Sequence, residues 1–148
     1  MSATETDWPD ALFAALAEAD VRTVAYVPDA GHARVIALAH ASERITTVPL
    51  TTEEEGIGYL AGAWLGGMRG VLLMLVTMRG EWAELNPWQN PAGAAVEDGL
   101  RLLGVRTWRA ERAEDVQPLV SGALAMTFAG DMSCAVLLGQ RLIGAKRW

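Results

Sequence analysis

"RGVLLMLVTM", residues 69 to 78, is a continuous apolar run of the kind that forms a β-strand covered on both of its faces. Shorter β-branched and apolar runs on either side alternate with segments whose apolar residues recur at helical spacing. Further strands are predicted within residues 21–29, 44–50, 106–110 and 133–139, and helices within residues 7–20, 30–42, 49–67, 94–105 and 113–130. This alternation predicts a single α/β domain over residues 1–148, doubly wound, with a mostly parallel sheet and helices on both faces.

Length and composition limit the classes of protein to which the chain can belong. With 148 residues, of which 51% are hydrophobic, the chain is long enough for one domain with a core and too short for two of ordinary size. Its formal net charge of -6 leaves no basic field for a nucleic-acid backbone, so an anionic ligand must be bound by local groups. Cys134, the only cysteine, excludes an internal disulfide and a multi-cysteine metal site, and its apolar neighbours predict a buried structural thiol.

The sequence also predicts a location and a partner. The first ten residues, MSATETDWPD, lack the basic and apolar regions of a signal peptide, and no stretch approaches a membrane span in length, so we expect a cytoplasmic protein. Six Trp residues are more than a core of this size needs, and Trp82, Trp88 and Trp148 lie among polar or loop-like residues. Because protein interfaces are enriched in aromatic residues, a partner chain is expected.

Three acids precede a run of small and apolar residues in the stretch PLTTEEEGIGYLAGAWLGG, residues 49 to 67. As local structure, Thr51 or Thr52 would cap a helix and Glu54 or Glu55 would complete a capping box, with the other acids in solvent. As a site, helical spacing places an acid and small residues on one face, where a ring or a neighbouring helix can come close. The residues of that face are Glu54, Gly58, Ala61 and Leu65. The pattern alone leaves both interpretations open.

Motifs along most of the chain resemble one family. They are VPDAGHARVI (27–36), PLTTEEEGIGYLAGAW (49–64), MRGEW.ELNPWQ.P.G (78–93) and VLLGQRLIGAKRW (136–148). Together they resemble the α subunit of sulfopyruvate decarboxylase and the matching half of phosphonopyruvate decarboxylase, which are thiamine diphosphate enzymes. The resemblance implies the pyrimidine-binding domain of the thiamine diphosphate-binding fold.

The resemblance also implies which residues meet the cofactor. In that superfamily a glutamate at the start of a helix hydrogen-bonds the aminopyrimidine ring, in patterns that resemble E-x-x-x-G-x-x-A-x-G-Y. This pattern assigns Glu54 as the catalytic, cofactor-binding acid, and its cofactor-binding companions are Gly58 and Ala61. Ala63 departs from the usual glycine, and Glu55 offers a competing register. A carboxylic acid in a partly dry interface can keep its proton near neutral pH and donate it to a ring nitrogen.

A partner subunit follows from the same resemblance. In this family the diphosphate and its Mg²⁺ are held by a second domain with a G-D-G type motif followed by an asparagine, and no such motif occurs in this sequence. The chain is therefore expected to pair with a diphosphate-binding β subunit, in a homo- or hetero-oligomer, and to act as the α subunit of a carboxy-lyase for sulfopyruvate- or phosphonopyruvate-like 2-oxo acids. The alternative is a non-catalytic, degenerate domain of the same fold, kept for binding or assembly.

Two positions are candidates for substrate binding. His32 follows the first strand and Arg79 follows the strand within residues 69–78, at the carboxyl ends where open parallel sheets place ligands. Side chains of these types can bind a carboxylate or a sulfonate. The competing interpretation for His32 is a loop histidine that takes no part in binding. For Arg79 and Glu81 it is an ion pair that orders the Trp-rich loop of residues 79–93, and this is the preferred interpretation for those two residues.

One segment is expected to be missing. Relatives of this kind carry a stretch like Q-S-S-G-x-G-N, a helix and another strand after the strand that resembles GVLLM, whereas here Met74 is followed directly by Leu75. Roughly two dozen residues, about a helix and a strand, would be lacking. The explanations are a true deletion, an unresolved segment left out of the sequence, or a divergent domain with one strand in place of two. The intact flanks favour the unresolved segment, which predicts that the Cα atoms of Met74 and Leu75 lie much farther apart than the roughly 3.8 Å of a trans peptide.

Overall fold

A computed structural model of the chain describes residues 7–68 and 72–144. The helices are α1 (Trp8–Glu18), α2 (Ala33–Ala41), α3 (Glu53–Leu65), α4 (Gln89–Leu102), α5 (Ala113–Gly130) and the short α6 (Gln140–Ile143). The strands are β1 (Thr23–Tyr26), β2 (Thr46–Pro49), β3 (Leu73–Thr77), β4 (Arg106–Ala110) and β5 (Cys134–Leu138), and a 3₁₀ turn (Ala30–His32) precedes α2. The predicted alternation of strands and helices is confirmed. The part of the predicted strand at residues 69–71, and Trp148, lie outside the described residues.

The described strands form two parallel sheets. β1 pairs with β2, and β5 lies between β3 and β4 in the order β3-β5-β4. Each connection between parallel neighbours passes through a helix, as parallel pairing requires. The doubly wound, parallel α/β class is therefore confirmed, but the strands lie in two groups of two and three rather than in one continuous sheet.

The central strand β5 shows how helices cover both faces. Its five residues are all buried, and their side chains alternate between two apolar clusters. Cys134, Val136 and Leu138 pack with residues of α1 and α5, whereas Ala135 and Leu137 pack with residues that include Val96 and Leu100 of α4. Cys134 is a fully buried free thiol in this core, as predicted.

The strand β3 runs without interruption through the position of the expected missing segment. Met74 pairs with Ala135 and Leu75 with Val136, in one continuous parallel register with β5. In this structure the two residues are consecutive members of one hydrogen-bonded strand, and the segment expected between them stays a prediction. On the side away from β5, β3 has no strand partner among the described residues; it is an edge strand of its sheet, as β1 is of the other.

Helix α4 begins five residues before its predicted start at residue 94. The carbonyl groups of Asn86 and Pro87 accept the first bonds, from the N–H groups of Gln89 at 2.9 Å and of Asn90 at 3.2 Å. Pro91 lies in the first turn, where a missing backbone N–H leaves no helical bond unmade, so the proline does not delay the helix. None of the helices in the described ranges is long and apolar enough to cross a membrane.

Candidate functional site at the carboxyl ends of the strands

The carboxyl ends of β1 and β3 are joined to each other. An Arg79 guanidinium nitrogen lies 3.5 Å from Asp29 Oδ2, which links the loop after β3 to the loop after β1. Gly31 lies so close to the end of β3 that a Cβ on it would be 2.5 Å from Thr77 Cγ2. The two sheets are thus held together at the edge where parallel α/β proteins bind ligands.

Helix α3 starts at this same edge, after β2, and Glu55 is engaged in forming its first turn. Thr51 donates two hydrogen bonds to the Glu55 carboxylate, one from its backbone N–H and one from its hydroxyl, both at 2.8 Å. These bonds lower the pKa of Glu55. The predicted participation of Glu55 in the helix start is confirmed, but the predicted threonine cap is wrong, because Thr52, the N-cap residue by backbone conformation, makes no side-chain bond to the helix backbone.

The role of Glu55 in the helix start predicts a pH-dependent contribution to stability. A carboxylate whose pKa is lower in the folded state than its model value of 4.5 stabilises the fold above that value, and this contribution is lost as pH falls through the folded-state pKa. Glu55→Gln is therefore expected to lower the free energy of unfolding at pH 7, and the difference from wild type is expected to shrink as pH falls below 4.5 and to vanish below the folded-state pKa. Urea unfolding at several pH values measures this, and Glu53→Gln is the control that should show no such loss.

Glu54, the predicted catalytic acid, lies in the first turn of α3 next to Glu55. Its side chain is exposed, and bonds from its own backbone N–H and from the Thr52 hydroxyl lower its pKa. Glu53 and Glu55 are exposed as well. A proton donor needs the opposite direction of shift, so the shielding from water expected for this acid is not provided by the single chain.

The face of α3 that carries Glu54 is open along its length. The helix packs on the rest of the chain through buried Gly56 and half-buried Tyr59, Leu60 and Ala63. The opposite side exposes the predicted face, and a Cβ on Gly58 would meet no atom within 4 Å. Large apolar side chains are also exposed at and after this helix: Ile57, Trp64, Leu65 and Met68. A helix with uncovered apolar residues is typical of a surface that another protein covers.

His32 lies in the 3₁₀ turn after β1, with one ring nitrogen unsatisfied. Its Nε2 is buried and has no hydrogen-bond partner within the described residues. Burial lowers the pKa of His32, against the opposing effect of the Asp29 carboxylate, so the imidazole is neutral at pH 7. Since a buried polar atom without a partner is unfavourable, this nitrogen can gain by bonding a ligand.

Arg79 and Glu81 each form an ion pair, but not with each other. Arg79 is mostly buried and meets Asp29, whereas Glu81 binds Arg109 of β4. Arg109 also pairs with Glu111 and lies 3.7 Å from Glu97. The ion pair that fixes the loop of residues 79–93 is therefore the one from Glu81 to β4, a partner that the sequence analysis did not identify. Arg79 keeps a single, long ion pair and remains a candidate for an anionic ligand.

The loop after β3 presents large apolar side chains to solvent. Trp82 is 47% exposed and Trp88 71% exposed, so the surface positions expected for these two residues are confirmed.

Gln140 lies beneath this loop and was missed by sequence reasoning, because no local pattern connects it to residues about sixty positions earlier. Within the described ranges, no group of three or more His, Cys, Asp or Glu is placed to hold a metal ion.

Fold and site together define a parallel α/β protein whose polar groups gather at the carboxyl ends of its strands, beside an uncovered helix headed by an acid. The chain is similar to proteins named sulfopyruvate decarboxylase subunit alpha. The one from Methanocaldococcus jannaschii is 25% identical over 138 residues, covering 76% of this chain and 82% of its own. The one from Methanothermobacter thermautotrophicus is 29% identical over 149 residues, covering 81% and 90%. A third, from Methanococcus maripaludis, is 38% identical over 65 residues, covering 44% and 39%.

These similarities confirm the resemblance to sulfopyruvate decarboxylase α subunits. No model of a protein family matches the chain, and no solved structure matches it. Because 76% of 148 residues is about 112, the 138-position alignment with the Methanocaldococcus protein is about 26 positions longer than the part of this chain it covers. That these positions fall between Met74 and Leu75 stays a prediction.

Proposed function

We propose that this chain is the pyrimidine-binding subunit of a thiamine diphosphate-dependent decarboxylase for a small 2-oxo acid with a second anionic group, sulfopyruvate or phosphonopyruvate. One observation carries the proposal: an exposed acid, Glu54, heads an exposed helix face at the carboxyl edge of a parallel α/β chain similar to sulfopyruvate decarboxylase α subunits. Glu55 is engaged with Thr51, which supports the assignment of Glu54 over its neighbour.

The residues of α3 fit the ring of the cofactor. Gly58 and Ala61 lie on the exposed face with Glu54, and the open space around Gly58 leaves room for a flat heterocycle against the helix backbone. When bound, thiamine diphosphate supplies a nucleophilic carbon and an electron sink for the loss of carbon dioxide. Its diphosphate and Mg²⁺ are assigned to the partner subunit.

Glu54 would act by holding a proton against a ring nitrogen. In the single chain its pKa is lowered by nearby hydrogen-bond donors. Covering α3 with a partner removes water from the carboxylate and disfavours its charged form, which shifts the pKa upward. The catalytic state of Glu54 is therefore formed by assembly, and this chain alone is expected to be inactive.

His32 and Arg79 would bind the two anionic groups of the substrate. Neutral His32 offers a buried ring nitrogen as a hydrogen-bond donor, and Arg79 offers a guanidinium held by one long ion pair. Both follow strands at the same edge, and Asp29 connects them, since it pairs with Arg79 and lies near enough to His32 to affect its pKa. In a chain with a net charge of -6, these groups give the local attraction that an anionic substrate needs.

Reconstitution tests the proposal. The chain is mixed with a candidate diphosphate-binding subunit, thiamine diphosphate and Mg²⁺, and carbon dioxide release from sulfopyruvate and from phosphonopyruvate is measured. Activity is expected only when both chains are present. No release from either acid, despite a stable complex that binds the cofactor, would contradict the decarboxylase function.

Two exposed leucines provide a matched pair of variants for the partner surface. Leu65 in α3 is 79% exposed and Leu103, just after α4, is 78% exposed, so neither contributes much to the core of the chain. Leu65→Asp is expected to weaken complex formation by about 10-fold or more, because it places a charge in an apolar interface, while Leu103→Asp leaves it unchanged. Equal affinities for the two variants, measured by calorimetry, would show that α3 does not bind the partner.

A non-catalytic role is the second candidate, and it is favoured because the sequence has no counterpart of the glycine-rich stretch that the family resemblance places near the cofactor. Among the described strands, β1 and β3 each have one edge without a strand partner. A binding or assembly domain would form the complex through α3 without decarboxylation. Complex formation that depends on Leu65, together with absent activity and absent cofactor binding, would support this second candidate.

A further inference from the structure

Gln140 is one of two buried polar residues among those described, and its side chain is fully bonded to the loop after β3. It is 1% exposed. Its Oε1 accepts the backbone N–H groups of Glu81 and Trp82 at 2.8 and 2.9 Å, and its Nε2 donates to Glu84 Oε2 at 3.0 Å. The backbone N–H of Gln140 also donates to Glu81 Oε2 at 3.3 Å. One amide side chain therefore bonds three residues of the loop.

The bonds of Gln140 extend to Arg79 through Glu84. The Glu84 carboxylate accepts the N–H groups of Asn86, at 3.0 Å, and of Gly80, at 3.2 Å, as well as the Gln140 amide. Asn86 contributes most to lowering the pKa of Glu84, so the side chain is a carboxylate at neutral pH and needs a donor from Gln140. Gly80 follows Arg79 directly, so the position of Glu84 fixes the backbone next to the guanidinium-bearing residue.

The backbone at Gly80 also packs closely against the start of α4. Gly80 has φ +72°, and a Cβ on it would be 2.5 Å from the Gln89 carbonyl oxygen. The loop after β3 therefore lies between α4 and Gln140. Arg79, the first residue of this loop, extends its guanidinium toward Asp29. An amide is the side chain that fits between them, because it accepts from two backbone N–H groups and donates to a carboxylate at once.

We propose that Gln140 is a positioning residue for the substrate site: it fixes the loop of residues 79–88 so that the guanidinium of Arg79 faces the anionic group of the 2-oxo acid. The inference rests on the proposed function for its consequence in catalysis, but the fixing of the loop can be measured without any activity. Gln140 lies about sixty residues from the loop in sequence, and α6, which it begins, places it directly after the buried strand β5.

Amide hydrogen exchange in the full-length chain tests the fixing of the loop. Gln140→Ala removes the acceptor of two N–H groups, and exchange at Glu81 and Trp82 is expected to accelerate by about 10- to 100-fold, the range for a lost buried hydrogen bond. Amides of β5 serve as the internal reference for global unfolding. The control Gln117→Ala, at an exposed position of α5, should leave both amides as in wild type. Unchanged exchange at both amides in Gln140→Ala overturns the proposal.

Kinetics of the reconstituted complex test the consequence for the substrate. Gln140→Ala is expected to raise KM for the 2-oxo acid by about 10-fold with a much smaller change in kcat, because Arg79 contributes to binding before the chemical step. A kcat decrease without a KM change, at intact cofactor binding, overturns the positioning role. An inactive wild-type complex would instead count against the proposed function, and the exchange result would still decide whether Gln140 fixes the loop.

If Gln140→Ala folds poorly, a second pair of variants, in which Gln140 and Glu84 exchange their side chains, tests the same proposal. Gln140→Glu places two carboxylates at the 3.0 Å contact with Glu84 and is expected to free the loop, as judged by exchange at Glu81 and Trp82. Adding Glu84→Gln restores one donor and one acceptor, so the double variant should recover part of the lost protection and of the KM. Absence of any recovery in the double variant, with a native β5, contradicts the direct bond as the cause.

Discussion

Replacing Glu54 by Gln is expected to reduce carbon dioxide release by the reconstituted complex by about 10²- to 10⁴-fold, the usual contribution of a positioned acid or base. Glutamine retains the size of the side chain but cannot give up a carboxyl proton. Because hydrogen bonds from its own backbone and from Thr52 lower the pKa of the exposed Glu54, the variant is expected to lose some stability at pH 7 but to remain folded. Steady-state rates and thermal unfolding of the same preparations measure both effects.

Variants of the neighbouring acids decide whether the effect belongs to position 54. Glu53→Gln makes the same change of charge at another exposed position of the first turn and is expected to keep the activity. Glu55→Gln weakens the helix start, and a defect in stability rather than in chemistry is expected. Full activity of Glu54→Gln, together with a large loss in Glu55→Gln at unchanged cofactor affinity, would establish the competing register and reject our assignment.

Gly93→Ala is expected to be among the most destabilising single-methyl changes in the chain. Gly93 is buried in α4, and a Cβ on it would lie 1.7 Å from the Arg79 carbonyl oxygen, far inside van der Waals contact. Because the contact is with backbone, no side-chain rotation relieves it, and α4 must move away from the loop after β3. A loss of about 3 kcal/mol in the free energy of unfolding is expected, at the upper end for overpacking. Urea unfolding monitored by circular dichroism measures it.

Gly99 provides a matched control in the same helix. A Cβ at Gly99 would meet no atom within 4 Å, so Gly99→Ala brings only the higher helix propensity of alanine. This variant is expected to gain about 0.5–1 kcal/mol. Similar effects of the two substitutions would show that the close contact between α4 and the Arg79 carbonyl does not exist. Gly93→Ala should also raise KM in the complex, since it displaces the residue that carries the substrate-binding guanidinium.

Local patterns predicted the elements of the fold well where periodicity was strong. The alternating burial of β5 follows from its apolar run, and α1 begins where Asp7 and Pro9 indicate. The start of α4 was predicted too late, because residues 89–93 were included in the Trp-rich loop, whereas a proline such as Pro91 is tolerated in a first helical turn. The division into two sheets was not predicted, since pairing between β1 and β3 depends on contacts across the domain rather than on either strand alone.

Within the site, sequence and structure answered different questions. The family resemblance singled out Glu54, and the structure shows Glu54 exposed and Glu55 bonded to Thr51, while the assignment of the catalytic acid stays a proposal. The partners of Arg79 and Glu81 could not be found from sequence, because adjacent opposite charges suggest a local pair while the real partners lie on other elements. Gln140 gave no local signal, since its three bonds reach across about sixty residues.

The amino-acid sequence by itself determined the alternation of strands and helices, the position of an acid at the head of a small-residue helix, and the resemblance to a decarboxylase subunit. These properties depend on residues close together in the chain, where side-chain periodicity and capping act directly. Tertiary structure decided that most side chains along α3 are exposed, that one ring nitrogen of His32 has no partner among the described residues, and that Gln140 hydrogen-bonds the loop after β3. Such properties depend on distances between groups far apart in sequence, and only the folded chain sets those distances.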